Sequence, residues 1–225
     1  MEVVVVAASE HHTFLFADLA GYTALTEAMG DEDAADLAGE FSDLVRELAR
    51  THRAETIKTI GDALMLRAED AGEAILLALC IVNDVGRRHR WPTVRAGMHT
   101  GPATERGGDW FGSTVNIAAR VSGIAAGDEV LLTETTRDAA LGLAGVDLRE
   151  HGRHSLKNVT AQLLLFAAVR AGEHSTAGLP IDPVCRMAVD PARAAGTLVF
   201  AGTEHTFCSL DCVQKFASAP QSYVP

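Results

Sequence analysis

The sequence predicts an α+β protein: a ferredoxin-like split βαβ unit, with an antiparallel-rich sheet and helices on one face, plus a small metal-binding C-terminal unit. Three observations lead there. Apolar runs of strand length and longer runs of helical spacing follow one another in the order β-αα-β-β-α-β. A stretch without periodicity, Arg170-Ala-Gly-Glu-His-Ser-Thr-Ala-Gly178, reads as a linker. Beyond it fall three of the four cysteines, Cys185, Cys208 and Cys212. The predicted division is 1–170 for the large domain, 171–178 for the linker and 179–225 for the small one.

The elements follow in chain order. The amino end, MEVVVVAASE, reads as a short strand or arm; it lacks the basic start and long apolar core of a signal peptide. HTFLFAD, from His12, predicts a buried strand over Thr13–Ala17 that ends at Asp18. Two helical stretches come next. The second starts at Asp31, read as an N-cap with Glu32 and Asp33 in the first turn. Ala34, Leu37, Phe41, Leu44, Val45 and Leu48 then keep helical spacing. Strands are predicted at Glu55–Ile60 and Ala63–Arg67, joined by Gly61-Asp62.

Asp70 and Glu73 have capping-box spacing and open a buried helix reaching about Val85. A strand over Thr93–His99 follows, and Phe111 to Ala125 reads as a helix after Gly112. Glu129–Leu132 is a short strand, Thr133 starts a short helix, and Val146–Glu150 and Gln162–Ala168 are late strands.

Composition narrows the function. The chain has 225 residues and 48% apolar content, enough for one sizeable core and an appendage. A net charge of −11 argues against nucleic acid as a partner, since phosphate contact needs clustered Lys and Arg. No apolar run reaches the ~20 residues that a membrane span requires, so no membrane role and a cytoplasmic location are expected. Cys80 sits in the apolar run AILLALCIV and reads as a buried free thiol. In a cytosolic chain, the clustering of the other three points to metal before disulfides.

Four segments carry a resemblance: FLFADLAGYTALTE (Phe14–Glu27), KTIGDALML (Lys58–Leu66), GDWFGSTVNIAARV (Gly108–Val121) and GRHSLKNV (Gly152–Val159). In their order and spacing they resemble the signature segments of class III nucleotidyl cyclases, over roughly residues 12–169. Asp18 and Asp62 each end a strand, and two carboxylates on neighbouring strand ends suit two Mg²⁺ or Mn²⁺ ions about 3.5–4 Å apart. Taken alone, Asp18 also reads as a helix N-cap. Asn116 and Arg120 are i, i+4 on one predicted helix and share a face.

The resemblance implies that Asn116 orients the substrate ribose, Arg120 meets charge developing at the α-phosphate, and Lys157 contacts the terminal phosphates. It makes Lys58 and Asp109 the base-selecting pair. A lysine donates to adenine N1 and an aspartate accepts from N6, whereas guanine leaves both mismatched. Guanylyl-specific members carry Glu and Cys at these places, so Lys58 and Asp109 imply ATP. Lys58 alone also reads as an edge-strand charge that deters aggregation.

The resemblance further implies a homodimer with two equivalent shared sites, Asp18 and Asp62 from one protomer and the other five residues from its partner. The implied function is adenylate cyclase, ATP to 3′,5′-cyclic AMP and pyrophosphate. The alternative is a low-turnover nucleotide- or metal-binding regulator with the C-terminal unit as metal sensor.

IDPVCRMAVDP and GTEHTFCSLDCVQKFASAPQSY look like a YHS domain, related to TRASH metal-sensing modules. Its pattern is C-x22-C-x3-C. Three thiolates suit Zn²⁺ or Cu⁺, with His205 or Met187 as candidate fourth ligand. Three reduced thiols in a small core are the plainer reading. Arg186 stands where the family usually has glycine after the first cysteine, and Asn158 follows Lys157 where glycine is common.

Overall fold

The structure is a computed structural model that describes residues 11–172 and 179–224. The amino-terminal arm and most of the linker expected from the sequence lie outside the described residues. A seven-stranded sheet is ordered β2-β3-β1-β4-β7-β9-β8. Its strands are β1 (His11–Leu19), β2 (Ala54–Ile60), β3 (Ala63–Ala68), β4 (Val94–Pro102), β7 (Val130–Thr133), β8 (Val146–His154) and β9 (Leu163–Arg170). Only β4 and β7 pair in parallel; the other neighbours are antiparallel. β1 pairs β3 on one side and β4 on the other, so it is central and buried.

Local chemistry sets most boundaries. Helices α1 (Tyr22–Met29) and α2 (Asp31–Thr51) meet at Gly30, whose φ of 94° makes a sharp corner that other residues resist. Gly30, and not Asp31, is therefore the N-cap of α2. Asp31, Glu32 and Asp33 occupy its first turn, where they complement the helix dipole. Helix α3 (Ala71–Cys80) is capped as expected: the Asp70 carboxylate accepts the Glu73 N–H at 2.8 Å. It runs on through a π-helical turn, Ile81–Val85.

Helix α4 spans Ser113–Ile124. Phe111 belongs not to this helix but to a hairpin of β5 (Thr104–Arg106) and β6 (Asp109–Phe111). Its turn is Gly107-Gly108, both at positive φ, the two-residue chemistry hairpins favour. Helix α5 (Glu134–Ala139) follows β7.

The sheet is covered on both faces. Leu15, Ala17 and Leu19 join Phe41, Val45 and Ile75 in the main core under α2 and α3. The alternate residues Phe14 and Phe16 pack with Met65 and Ala118, placing α4 on the opposite face. The expected single helical face holds for α2, α3 and α5. β1 is apolar on both sides, so a second layer is needed, and α4 supplies it. α4 can approach because β4 carries Gly97: a Cβ there would run into the backbone of Ser122 and Val121.

The small unit contains β10 (Gly196–Phe200), β11 (Thr203–Phe207) and α6 (Leu210–Ser218). It is docked, not merely tethered. Val184, Cys185, Met187, Phe207, Cys208, Cys212 and Phe216 share one apolar core with Leu25 of α1. Backbone bonds from Arg90 to Ala188 and from Ala188 to Trp91, both 2.8 Å, extend the contact, and Lys215 Nζ donates to the Ala28 carbonyl at 3.1 Å.

Gly97→Ala forces β4 and α4 apart, because the obstacle is backbone and cannot rotate away. The expected outcome is a loss on the order of 2–4 kcal/mol, read by chemical denaturation, with Gly123→Ala, which meets nothing within 4 Å, as the harmless control.

Candidate functional site

Asp18 is the penultimate residue of β1, directly paired in register with Arg95 of β4. Arg95 Nε and Nη2 donate to Asp18 Oδ1 and Oδ2 at 2.7 and 2.8 Å, a bidentate fork. Asp62 sits at the tip of the β2–β3 hairpin. Its pKa is raised, first by burial and also by the Asp18 charge, while the backbone amides of Asp62 and Leu19 hold it down in part. The two carboxylates therefore feel one another. Arg95 in turn is pushed further toward its charged form by the Asp18 bond. The donor set at these strand ends is all oxygen, the chemistry that suits a hard divalent cation.

A second group lies elsewhere on the chain. Lys58 Nζ donates to Asp109 Oδ2 at 2.6 Å, and the side chains remain 39% and 31% exposed. That lysine bond holds the Asp109 pKa below the usual carboxylate range. A β-bulge makes the meeting possible. Thr56 pairs Leu66, but Lys58 pairs Met65 where unbroken register would give Leu64. The slip turns Lys58 from the α2–α3 face to the face of Phe16, Met65 and α4. There Lys58, Phe16, Ile60, Phe111, Val115 and Asn116 line a cleft of about 310 Å³.

Asn116 and Arg120 stand one turn apart on α4, and among the described residues Arg120 has no ion pair. Lys157 is exposed at the turn between β8 and β9, followed by Asn158 at φ 59°, the left-handed geometry glycine would also serve. Asp18 and Asp62 do not line the Lys58 cleft.

In the small unit, ligand atoms of Asp182, Cys185, Cys208 and Cys212 all lie within 4.8 Å of one another, and all four residues are buried. The Cys185–Cys208 sulfurs are 3.4 Å apart and Cys208–Cys212 4.0 Å. Tetrahedral Zn–S bonds of ~2.3 Å put sulfurs ~3.8 Å apart, so the group fits such an ion. The shared thiol contacts, with burial, push the Cys185 pKa up, and the three sulfurs titrate as one coupled group. Asp182 accepts the N–H groups of Val184 and Cys208, both at 2.9 Å, and so ties together the loops that carry two of the cysteines. His205 is not in this group. It shares a face of β11 with Phe207, and its ring sits 5.0 Å from that of Phe216. Met187 is buried in the adjoining core.

Arg95 and Asp182 were missing from the sequence-derived set. Their signal was an isolated charge within a buried apolar stretch, TVRAGM in one case and IDPVC in the other. Such a charge requires a partner.

Comparison with known proteins agrees with this architecture. The family described as adenylate and guanylate cyclase catalytic domain matches residues 4–167, and the YHS domain matches 181–225. The chain belongs to the class III nucleotidyl cyclase family and carries a C-terminal YHS domain. It is 37% identical over 170 residues to the pH-sensitive adenylate cyclase MT1302 of Mycobacterium tuberculosis, covering 74% of this chain and 42% of that one. An adenylate cyclase of Streptomyces coelicolor is 38% identical over 117 residues, covering 52% of this chain and 31% of that one. The chain thus spans less than half the length of these curated relatives.

A monomeric adenylate cyclase structure from Trypanosoma brucei superposes with a TM-score of 0.67 at 20% identity, covering 76% of this chain and 95% of that one. The adenylyl cyclase CyaB of P. aeruginosa gives 0.62 at 19%, covering 75% and 96%. These two likenesses speak to the fold. Among the described residues, no helix is long and apolar enough to cross a membrane.

Metal analysis of the full chain after exposure to Zn²⁺ or Cu⁺ is expected to find one ion per chain. Cys208→Ser should abolish retention, Asp182→Asn should weaken it by about tenfold or more, and His205→Ala should leave it intact.

Proposed function

We propose that the chain is an adenylate cyclase, forming 3′,5′-cyclic AMP and pyrophosphate from ATP at sites shared across a homodimer. The observation that carries this reading is the Lys58–Asp109 pair, whose lysine lines the same cleft as Asn116. A donor and an acceptor held side by side are the complement of an adenine edge. Empty, they satisfy each other; an entering adenine substitutes its N1 for the aspartate and its N6 amino group for the lysine. A solvent-exposed pair of this kind is screened by water and contributes little, so it opens readily. Guanine offers the reverse pattern and leaves both side chains without partners.

Asp18 and Asp62 are the residues to hold Mg²⁺ or Mn²⁺. When bound, the two ions supply acidification of the ribose 3′-hydroxyl and neutralisation of the leaving pyrophosphate. Arg95 keeps the Asp18 carboxylate oriented. Asn116 positions the ribose, so that the 3′-oxygen lies in line with the bond between the α-phosphorus and the bridging oxygen. As the new O–P bond forms and the bridging bond breaks, the Arg120 guanidinium meets charge on the α-phosphate oxygens, while Lys157 holds the terminal phosphates. Within a single chain, Asp18 and Asp62 do not line the Lys58 cleft. A second, head-to-tail copy brings the complementary groups together. For the YHS unit, the three sulfurs favour Zn²⁺ or Cu⁺ over a hard cation.

Purified protein with ATP and Mn²⁺ should yield cyclic AMP, and GTP should be a poor substrate. Asp18→Ala and Arg120→Ala should each fall by ~10²-fold or more. Mixed, they should recover about a quarter of wild-type activity, since half of random dimers are mixed and each mixed dimer has one intact site. Absence of recovery contradicts shared sites. Nucleotide binding without product would favour the regulatory alternative.

A further inference from the structure

We infer that the YHS domain supplies a substrate-positioning cation, Arg186, to the triphosphate end of the catalytic site. The inference rests on the cyclase reading above. Three observations on Arg186 itself lead to it.

The first is backbone geometry. Arg186 holds φ 64°, a left-handed conformation in which a β-carbon is disfavoured and glycine is at ease. Nothing about the turn calls for arginine; Asp182 accepts its backbone N–H at 2.9 Å whatever the side chain. The strain is retained with a long cationic side chain in place.

The second is position. The Arg186 stem lies on Gly21: a β-carbon added to Gly21 would come within 2.8 Å of Arg186 Cγ, 3.0 Å of its Cβ and 3.8 Å of its Nε. Gly21 is three residues beyond Asp18 and leads into α1. Arg186 thus lies over the turn that joins the acid-bearing strand end to α1, which itself shares its core with the YHS domain. Only a residue without a side chain at 21 admits the arginine.

The third is charge. Arg186 is exposed, and among the described residues its guanidinium has no ion pair, although its flanking residues from Asp182 to Cys185 and from Met187 to Val189 are buried. Arg95, the cation paired with Asp18, has both arms of its fork committed to that carboxylate. In the proposed dimer Arg120 and Lys157 reach the phosphates from the opposite protomer. At the turn between Asp18 and α1, Arg186 therefore offers a cation that is in no ion pair among the described residues. A guanidinium pinned by its stem beside it, with its donors unused, is suited to the β- and γ-phosphate oxygens.

Arg186→Gly tests this, because glycine suits φ 64° and the variant should fold at least as well as wild type. The expected result is a KM for ATP raised about tenfold with kcat within about twofold, unchanged thermal stability or a gain, and partial recovery in Arg186→Lys. Calorimetric titration of the full chain with inorganic tripolyphosphate and Mg²⁺ should show a matching loss of affinity. Unchanged KM and unchanged tripolyphosphate binding in Arg186→Gly would overturn the assignment while leaving the cyclase reading standing. If wild type forms no cyclic nucleotide, the cyclase reading fails, and the tripolyphosphate titration alone decides whether Arg186 binds polyphosphate.

Discussion

Two carboxylates at adjoining strand ends repel each other, and the arrangement of this protein follows from how that repulsion is contained. Asp18 and Asp62 are brought together by the pairing of β1 with β3 and by the tight β2–β3 turn. Like charges so placed destabilise the fold unless cations answer them, and the Asp18 charge adds to the burial that raises the Asp62 pKa. The protein answers in part with Arg95, fixed opposite Asp18 by strand register. Asp62 is left less favourably placed, its charged form opposed by burial. Such a residual electrostatic demand is what motivates the proposal that Asp18 and Asp62 hold divalent cations.

The same sheet uses one irregularity to set the other half of the site. Without the bulge after Thr56, Lys58 would face the helices of the main core and point away from Asp109. With it, Lys58 emerges beside Asp109, which the Gly107-Gly108 hairpin carries to the same place. A one-residue slip thus converts a structural strand into a wall of the cleft. Close packing of α4 on Gly97 fixes Asn116 and Arg120 relative to that wall. These features belong to sheet geometry, so the cleft is built on rigid elements and not on loops.

Much of this was legible in the sequence, and the exceptions share a cause. The Asp70 cap and the apolar stripes of α2 and α3 are local signals and were read closely. The hairpin of β5 and β6 was missed because three-residue strands carry almost no periodicity; only Gly107-Gly108 announced it. The second helical layer was written in the doubly apolar strand HTFLFA, yet periodicity alone does not say which helix covers which face. Arg95 and Asp182 each required a partner distant in sequence, Asp18 at one end of the chain and Cys208 at the other. The linker pointed to an independent C-terminal unit, whereas Leu25 and the Trp91–Ala188 contact join it to the catalytic domain. Long-range pairing, in each case, was what a one-dimensional reading lacked.

We propose that each chain carries two half-sites, and that two complete sites form only when two copies meet. Specific activity measured against chain concentration, with sedimentation on the same samples, addresses it most directly. Cyclic AMP formed per mole of chain should be negligible where the protein sediments as a monomer and should rise to a plateau as the dimer forms. Constant specific activity across a range in which the chain is monomeric would contradict the account.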